Sequence, residues 1–151
     1  MAETLGSLID KLTIKKIRLL HLEKAKPSPK VKKARAIVKQ QIVDLSLEID
    51  DFHKKALKGK VILREQKVKL YRNPPSRLKL NKIRSLGRLV DLLSQINKEL
   101  WDFEDQVRIK GIPYKRVAYC KRNIDLCNKE RNNTIDRIDE LLEQHIKQCR
   151  K

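Results

Sequence analysis

In the stretch NKELWDFEDQVRIKG, residues 97–111, the only tryptophan of the chain, Trp101, stands among Glu99, Asp102, Glu104 and Asp105. Carboxylates this close together serve either as proton donors and acceptors or as counterions for buried cations. The whole chain carries a formal charge of +18, so an acidic patch runs against its composition. Arg131 falls on a helical stripe that otherwise takes apolar residues, where an unpaired cation costs several kcal/mol to bury. It requires a carboxylate. With the two long C-terminal helices antiparallel, Glu104 or Asp105 faces the 124–131 region and Trp101 covers the pair.

Two readings of these polar residues follow. In one they are interhelical salt bridges that set the register of a helical bundle. In the other, Asp10, Lys11, Asn97, Glu104, Asn128 and Arg131 build a polar pocket in the bundle, able to hold a small anionic ligand or a sugar. No residue pairs a nucleophile with an adjacent base, so the expectation is a non-enzymatic protein, and any catalysis would be of the acid/base kind.

Cys120, Cys127 and Cys149 are odd in number, and the first two lie two helical turns apart on one face, too distant to bridge. This suits a reducing compartment. There is no Cys-x-x-Cys pair, and His21 and His53 stand alone, so neither a metal nor another cofactor is expected. No run reaches the roughly 18 apolar residues of a membrane span. The N-terminal MAETLGSLIDK lacks the basic start and apolar stretch of a secretory signal, and the expected location is the cytoplasm.

The charge is unevenly placed. Residues 11–88 hold 24 Lys or Arg against 6 Asp or Glu, a local +18, whereas residues 89–151 hold 13 against 11. Such asymmetry suits an anionic partner, nucleic acid or an acidic surface. Lys32, Lys33, Arg35, Lys54, Lys55, Arg64, Lys67, Lys69, Arg77, Lys79 and Arg84 are the candidate contacts. With no nucleic-acid motif and no aromatic array, binding would be led by the phosphate backbone and largely indifferent to sequence. The plainer alternative is that the lysines form a solvated helix face.

The elements that must position these residues are helices. Aromatic residues make up only 4% of the chain and charged residues 37%, with four glycines and five prolines. Residues 4–25 place Leu5, Leu8, Ile9, Leu12 and Leu19 on one stripe, with Ser7 and Asp10 as a loose capping pattern. KPSP at 26–29 ends that helix. From Val31 the apolar series Val31, Ala34, Val38, Ile42, Leu45, Ile49, Phe52 and Ala56 runs by threes and fours, predicting a helix over 30–57 about 40 Å long. Lysines 32, 33, 39, 54 and 55 fall off that stripe, on its wet face. Gly59 stops the helix or bends it. Residues 60–72 read as helix or irregular chain, and NPPS at 73–76 is a break.

Residues 78–110 carry Leu86, Leu89, Leu93, Ile96, Leu100, Phe103 and Val107 at the same spacing, closed by Gly111 and Pro113. The last segment repeats it with Val117, Cys120, Ile124, Cys127, Arg131, Thr134, Ile138, Leu141 and His145. The fold class predicted is all-α: an elongated antiparallel helical bundle of four to five helices with coiled-coil-like packing, in one domain over 1–151, less regular at about 59–77. A leftover apolar edge on such long helices suits a homodimer.

Three segments resemble an uncharacterised bacterial all-helical family. They are ETLGSLIDKLTIKKIRLLHLE with its Gly-x-Leu-Ile-Asp-Lys-Leu run, INKELWDFEDQVR with Leu-Trp-x-x-Glu-Asp, and KRNIDLCNKERNNTIDRIDELL with Asn-x-x-Arg. Together they cover a little over a third of the chain, in matching order. Members are often encoded near glycosyltransferase and surface-polysaccharide genes, which implies an accessory role in glycan or envelope assembly and no particular activity. By position the resemblance singles out Asp10, Lys11, Trp101, Glu104, Asp105, Asn128 and Arg131. The lysine-rich middle of the chain departs from the family pattern.

Overall fold

A computed structural model of the chain describes residues 3–64 and 76–150. It is all-α: among the described residues there are four α-helices, one short 3-10 turn and no strand. The helices are α1 (Leu5–Lys24), α2 (Pro29–Leu57), α3 (Leu86–Val107) and α4 (Tyr114–Cys149). Two compact units divide the chain, Met1–Glu65 with Asp139–Lys151 and Gln66–Ile138, so that α4 contributes to both.

The first unit is built on the α1–α2 hairpin. The cap of α1 lies three residues earlier than the sequence pattern suggests. Thr4 Oγ1 accepts from the Ser7 amide at 3.2 Å, and Ser7 Oγ accepts from the Thr4 amide at 2.9 Å, a reciprocal capping box. Ser7 is therefore its third residue, not its cap. The buried face also turns: Leu5, Leu8, Ile9, Thr13 and Ile17 are buried, while Leu12 and Leu19 are only half-buried. Ala25 closes α1 in extended conformation, as the two prolines behind it favour.

Ser28 caps α2, its hydroxyl accepting from the Val31 amide at 3.1 Å, with Pro29 in the first turn, where a missing amide costs nothing. Every member of the apolar series from Val31 to Ala56 is buried or half-buried, and lysines 32, 33, 39, 54 and 55 are exposed. The spacing of α2 was legible to the residue. Gly59 ends the helix rather than bending it. Its φ of 68° lets the Gly59 amide reach the Ala56 carbonyl at 3.0 Å and the Lys60 amide the Lys55 carbonyl at 2.9 Å, a Schellman closure. Residues 60–64 are irregular, and the rest of the 60–72 segment, with most of NPPS, lies outside the described residues. The tail of α4 adds Leu141, Leu142 and Ile146 to this unit's buried residues.

In the second unit α3 starts at Leu86, where Ser85 Oγ accepts from the Arg88 amide at 3.3 Å, and Leu80–Lys82 before it is a 3-10 turn. Leu89 and Leu93 are fully buried. Ile96, Leu100 and Cys127 form one cluster with Leu78, Leu92, Phe103 and Ile124 packed on it. Phe103 meets Tyr119 edge to face at 6.1 Å, earlier on α4, so α3 and α4 run antiparallel. Gly111, at φ 79°, occupies the turn between them.

The stripe of α4 departs from expectation beyond its midpoint. Arg131 is half-buried, and the buried arginine is Arg137, 7% exposed. His145 is exposed and Ile146 beside it is buried. A helix advances 100° per residue rather than the 103° of a strict heptad, so a long buried stripe drifts to the next residue along.

Candidate functional site

The basic candidates in the first unit sit on two elements. Lys32, Lys33, Lys54 and Lys55 are exposed on α2, and Arg64 is exposed in the chain after it. Arg35 is different. Its Nε donates to the Leu22 carbonyl at 2.8 Å, and its Nη2 to those of Glu23 at 3.2 Å and Ala25 at 3.4 Å. A guanidinium fork thereby adds donors to carbonyls at the end of α1, where the Leu22 carbonyl also takes the Ala25 amide at 3.3 Å, and its charge faces the negative end of the helix dipole. Arg35 is a strut of the hairpin rather than an open contact.

The hairpin it braces carries residues that the sequence reading passed over. Lys24, Lys26 and Lys30 are exposed about the turn and continue into Lys32 and Lys33, giving five exposed lysines within ten residues. The signal for them was the Pro27 and Pro29 break, which turns a run of lysines into a tip. Lys55 pairs with Asp51 at 2.6 Å and Arg64 with Glu143 at 3.6 Å. Glu143 also takes Lys147 at 2.9 Å, and its carboxyl is held below the ordinary range, first by that hydrogen bond and then by the charges of Lys147 and Arg64. Lys67 and Lys69 lie outside the described residues. Arg77, Lys79 and Arg84 are exposed in the second unit.

The polar residues of the second candidate set fall in both units. In the first, Asp10 is buried, and Lys11 is exposed and paired with Glu3. That hydrogen bond, with a second from Ser7, lowers the Glu3 carboxyl. In the second, Asn97 is buried, and Trp101, Asn128 and Arg131 are half-buried. Glu104 and Asp105 are exposed and face a cation on their own helix end, Arg108, at 3.4 and 3.6 Å. The opening acidic patch is thus largely a solvated helix face: Asp102 likewise holds Lys98 at 2.6 Å, one turn back.

Two buried charges were missed. Arg137 donates to the carbonyls of Leu80 at 3.1 Å, Asn81 at 3.4 Å and Ile83 at 3.0 Å, clamping the 3-10 turn to α4. Asp139 accepts from the Gly6 amide at 2.7 Å, in the first turn of α1. A carboxylate there meets both an orphan donor and the positive dipole end. Only the drift of the stripe past Thr134 signals either residue.

A cleft of about 310 Å³ opens in the second unit. Leu78, Leu92, Ile96 and Leu126 make its apolar lining, with Arg77, Gln95, Glu99, Asn123, Cys127 and Glu130 as its polar groups. Of the polar residues named from the sequence, Arg77, Glu99 and Cys127 line it, whereas no member of the set Asp10, Lys11, Asn97, Trp101, Glu104, Asp105, Asn128 and Arg131 does. Glu130 is occupied, accepting from Ser76 Oγ and from the Arg77 amide at 2.8 Å. Burial, and then Glu99 and Glu130, push the Cys127 thiol up, the opposite of what a nucleophile needs. Among the described residues no three His, Cys, Asp or Glu side chains converge on a metal position, and no helix is long and apolar enough to cross a membrane.

No curated protein and no solved structure matches the chain. Residues 87–151, which hold the Leu-Trp-x-x-Glu-Asp and Asn-x-x-Arg segments but not the N-terminal one, match the model of a family described as a protein of unknown function, DUF4254, over the stretch of α3 and α4.

Proposed function

We propose that the chain is a non-enzymatic cytoplasmic binding protein whose α1–α2 hairpin contacts a polyanion, nucleic acid above all, without reading its sequence. The observation behind this is the tip: Lys24, Lys26, Lys30, Lys32 and Lys33 are exposed together on a turn that Arg35 braces. A braced turn presents its cations with less conformational entropy to lose on binding. Lysine is a point charge on a flexible stem, suited to phosphate and poor at base recognition. The test is fluorescence anisotropy with labelled duplexes of unrelated sequence. Comparable affinity for all of them, and a matching loss for all on changing Lys24, Lys26 and Lys30 to Ala, supports the reading. Affinity for one duplex alone, or a triple variant that binds as well as the parent, defeats it.

A second reading is an accessory or small-ligand-binding role in glycan or envelope assembly. It is favoured by the cleft beside the DUF4254 segments, whose apolar floor and polar Gln95, Glu99 and Asn123 suit a small hydroxylated ligand. Saturation-transfer NMR with simple sugars checks it: signals lost on Asn123→Leu support the cleft, and absence of any transfer removes it.

A further inference from the structure

We propose that the outer face of α2 is a self-association surface, on which α2 of a second copy of this chain docks antiparallel. The helix carries two stripes. One, from Val31 to Ala56, is buried or half-buried, and α1 packs on α2. The other, on the opposite side, runs Lys33, Ala36, Gln40, Val43, Leu47 and Asp50, all exposed, with Val43 at 52% and Leu47 at 63%. Its spacing of three, four, three, four, three is that of a coiled-coil seam. A helix in the hairpin of an isolated chain has no use for apolar residues at that spacing on its wet side.

The occupant follows from the charges. Residues 29–43 hold Lys30, Lys32, Lys33, Arg35 and Lys39 and no carboxylate; residues 44–51 hold Asp44, Glu48, Asp50 and Asp51 and no cation. Because the spacing reads the same from either end, an antiparallel copy centred between Gln41 and Ile42 sets Gln40 against Val43, Ala36 against Leu47 and Lys33 against Asp50. The basic half of each α2 then lies beside the acidic segment of the other. A parallel pair would set like charges together. Each contact occurs twice about a two-fold axis, as an isologous dimer requires. The hairpin tip of each copy comes level with Lys54 and Lys55 of the other, so Lys24 and Lys26 stay outside the seam, open to a polyanion. With only Ala, Gln, Val and Leu at its centre, the seam depends on its charges for orientation and weakens as salt screens them.

The test is sedimentation equilibrium of the full chain, with no nucleic acid present. The expected species at low salt has twice the 17.8 kDa of the chain. Leu47→Asp, at a position too exposed to disturb the hairpin, is expected to sediment as monomer with unchanged helical circular dichroism. Lys33→Glu and Asp50→Lys are each expected to raise the dissociation constant about tenfold or more, since each replaces two attractions by two repulsions. The doubly reversed chain is expected to regain the dimer. A parent that is monomeric at every concentration, a dimer untouched by Leu47→Asp, or a double variant as weak as the singles overturns the proposal. Single reversals without effect, which is what a parallel pair with Lys33 against Lys33 and Asp50 against Asp50 gives, overturn it as well.

Discussion

Arg35 Nε lies 2.8 Å from the carbonyl oxygen of Leu22, across the turn that separates α1 from α2. That bond, with those to Glu23 and Ala25, makes a cation of the basic segment part of the scaffold rather than of its surface. Arg35→Ala is expected to cost about 2 kcal/mol, because it strips charged donors from carbonyls at a helix end. Lys32→Ala, on the exposed face, is expected to stay within about 0.5 kcal/mol. Urea denaturation of both variants, at equal slope, checks the contrast; equal costs would mean that Arg35 is an ordinary surface cation.

Arg137 makes the same kind of contact in the other unit, more deeply buried. Arg137→Leu removes the guanidinium from the carbonyls of Leu80, Asn81 and Ile83, of which Leu80 keeps the Ile83 amide at 3.0 Å, and is expected to destabilise by about 2–4 kcal/mol. Hydrogen exchange should rise first over residues 78–85. A variant as stable as the parent would remove the clamp.

Gly59 tests the closure of α2. Its φ of 68° is costly for any residue with a Cβ, and that Cβ would sit 2.9 Å from Arg150 Nη2. Gly59→Ala is expected to lower stability by roughly 1–2 kcal/mol, read as a fall in Tm.

The carboxyls of Glu3 and Glu143 set a pH dependence. Both are held below their ordinary value of 4.5 by bonded lysines. In the acid range the unfolded chain therefore binds more protons than the folded one. Their stabilisation is in place above the unfolded value and is lost as pH falls through the lower folded value. Stability is expected to fall on acidification below about pH 5, and less steeply in the Glu3→Gln, Glu143→Gln double variant. Denaturation midpoints across that range give the slope; identical slopes would show that the two pairs do not form.

The three thiols should separate kinetically. Cys149 is exposed, Cys120 and Cys127 are buried, and the Cys127 thiol is also pushed up. A disulfide reagent is expected to react quickly with one thiol per native chain and with the other two only on unfolding. Two fast thiols would contradict the packing of α4 on α3.

How much of this was legible depends on what each residue's position rests on. The α2 stripe was readable because spacing alone decides which side of a helix is apolar. Burial of polar residues was not, because it depends on what lies opposite. The chain carries two similar strings, GSLIDKLT in α1 and GRLVDLLS in α3. Their first leucines behave alike, Leu8 and Leu89 both being buried. Their glycines and aspartates do not: Gly6 and Asp10 are buried, while Gly87 and Asp91 are exposed and Asp91 accepts from Gln95 at 2.9 Å. For the same reason Arg131 looked like the buried cation and Arg137 is. The lysines of the tip were visible as letters, but their grouping needed the turn, and Arg35 could be told from Lys33 only by where its guanidinium ends.

The decisive titration measures binding of the purified chain to a labelled duplex from about 50 to 300 mM salt. If the hairpin tip engages phosphates, log K falls linearly with log salt at about −0.9 per phosphate, and changing Lys24, Lys26 and Lys30 to Ala makes the slope shallower by roughly one for each lysine that mattered. If the chain stays unbound at the lowest salt, or the slope is the same in the triple variant, the lysines of the tip are a solvated surface and the polyanion reading is wrong.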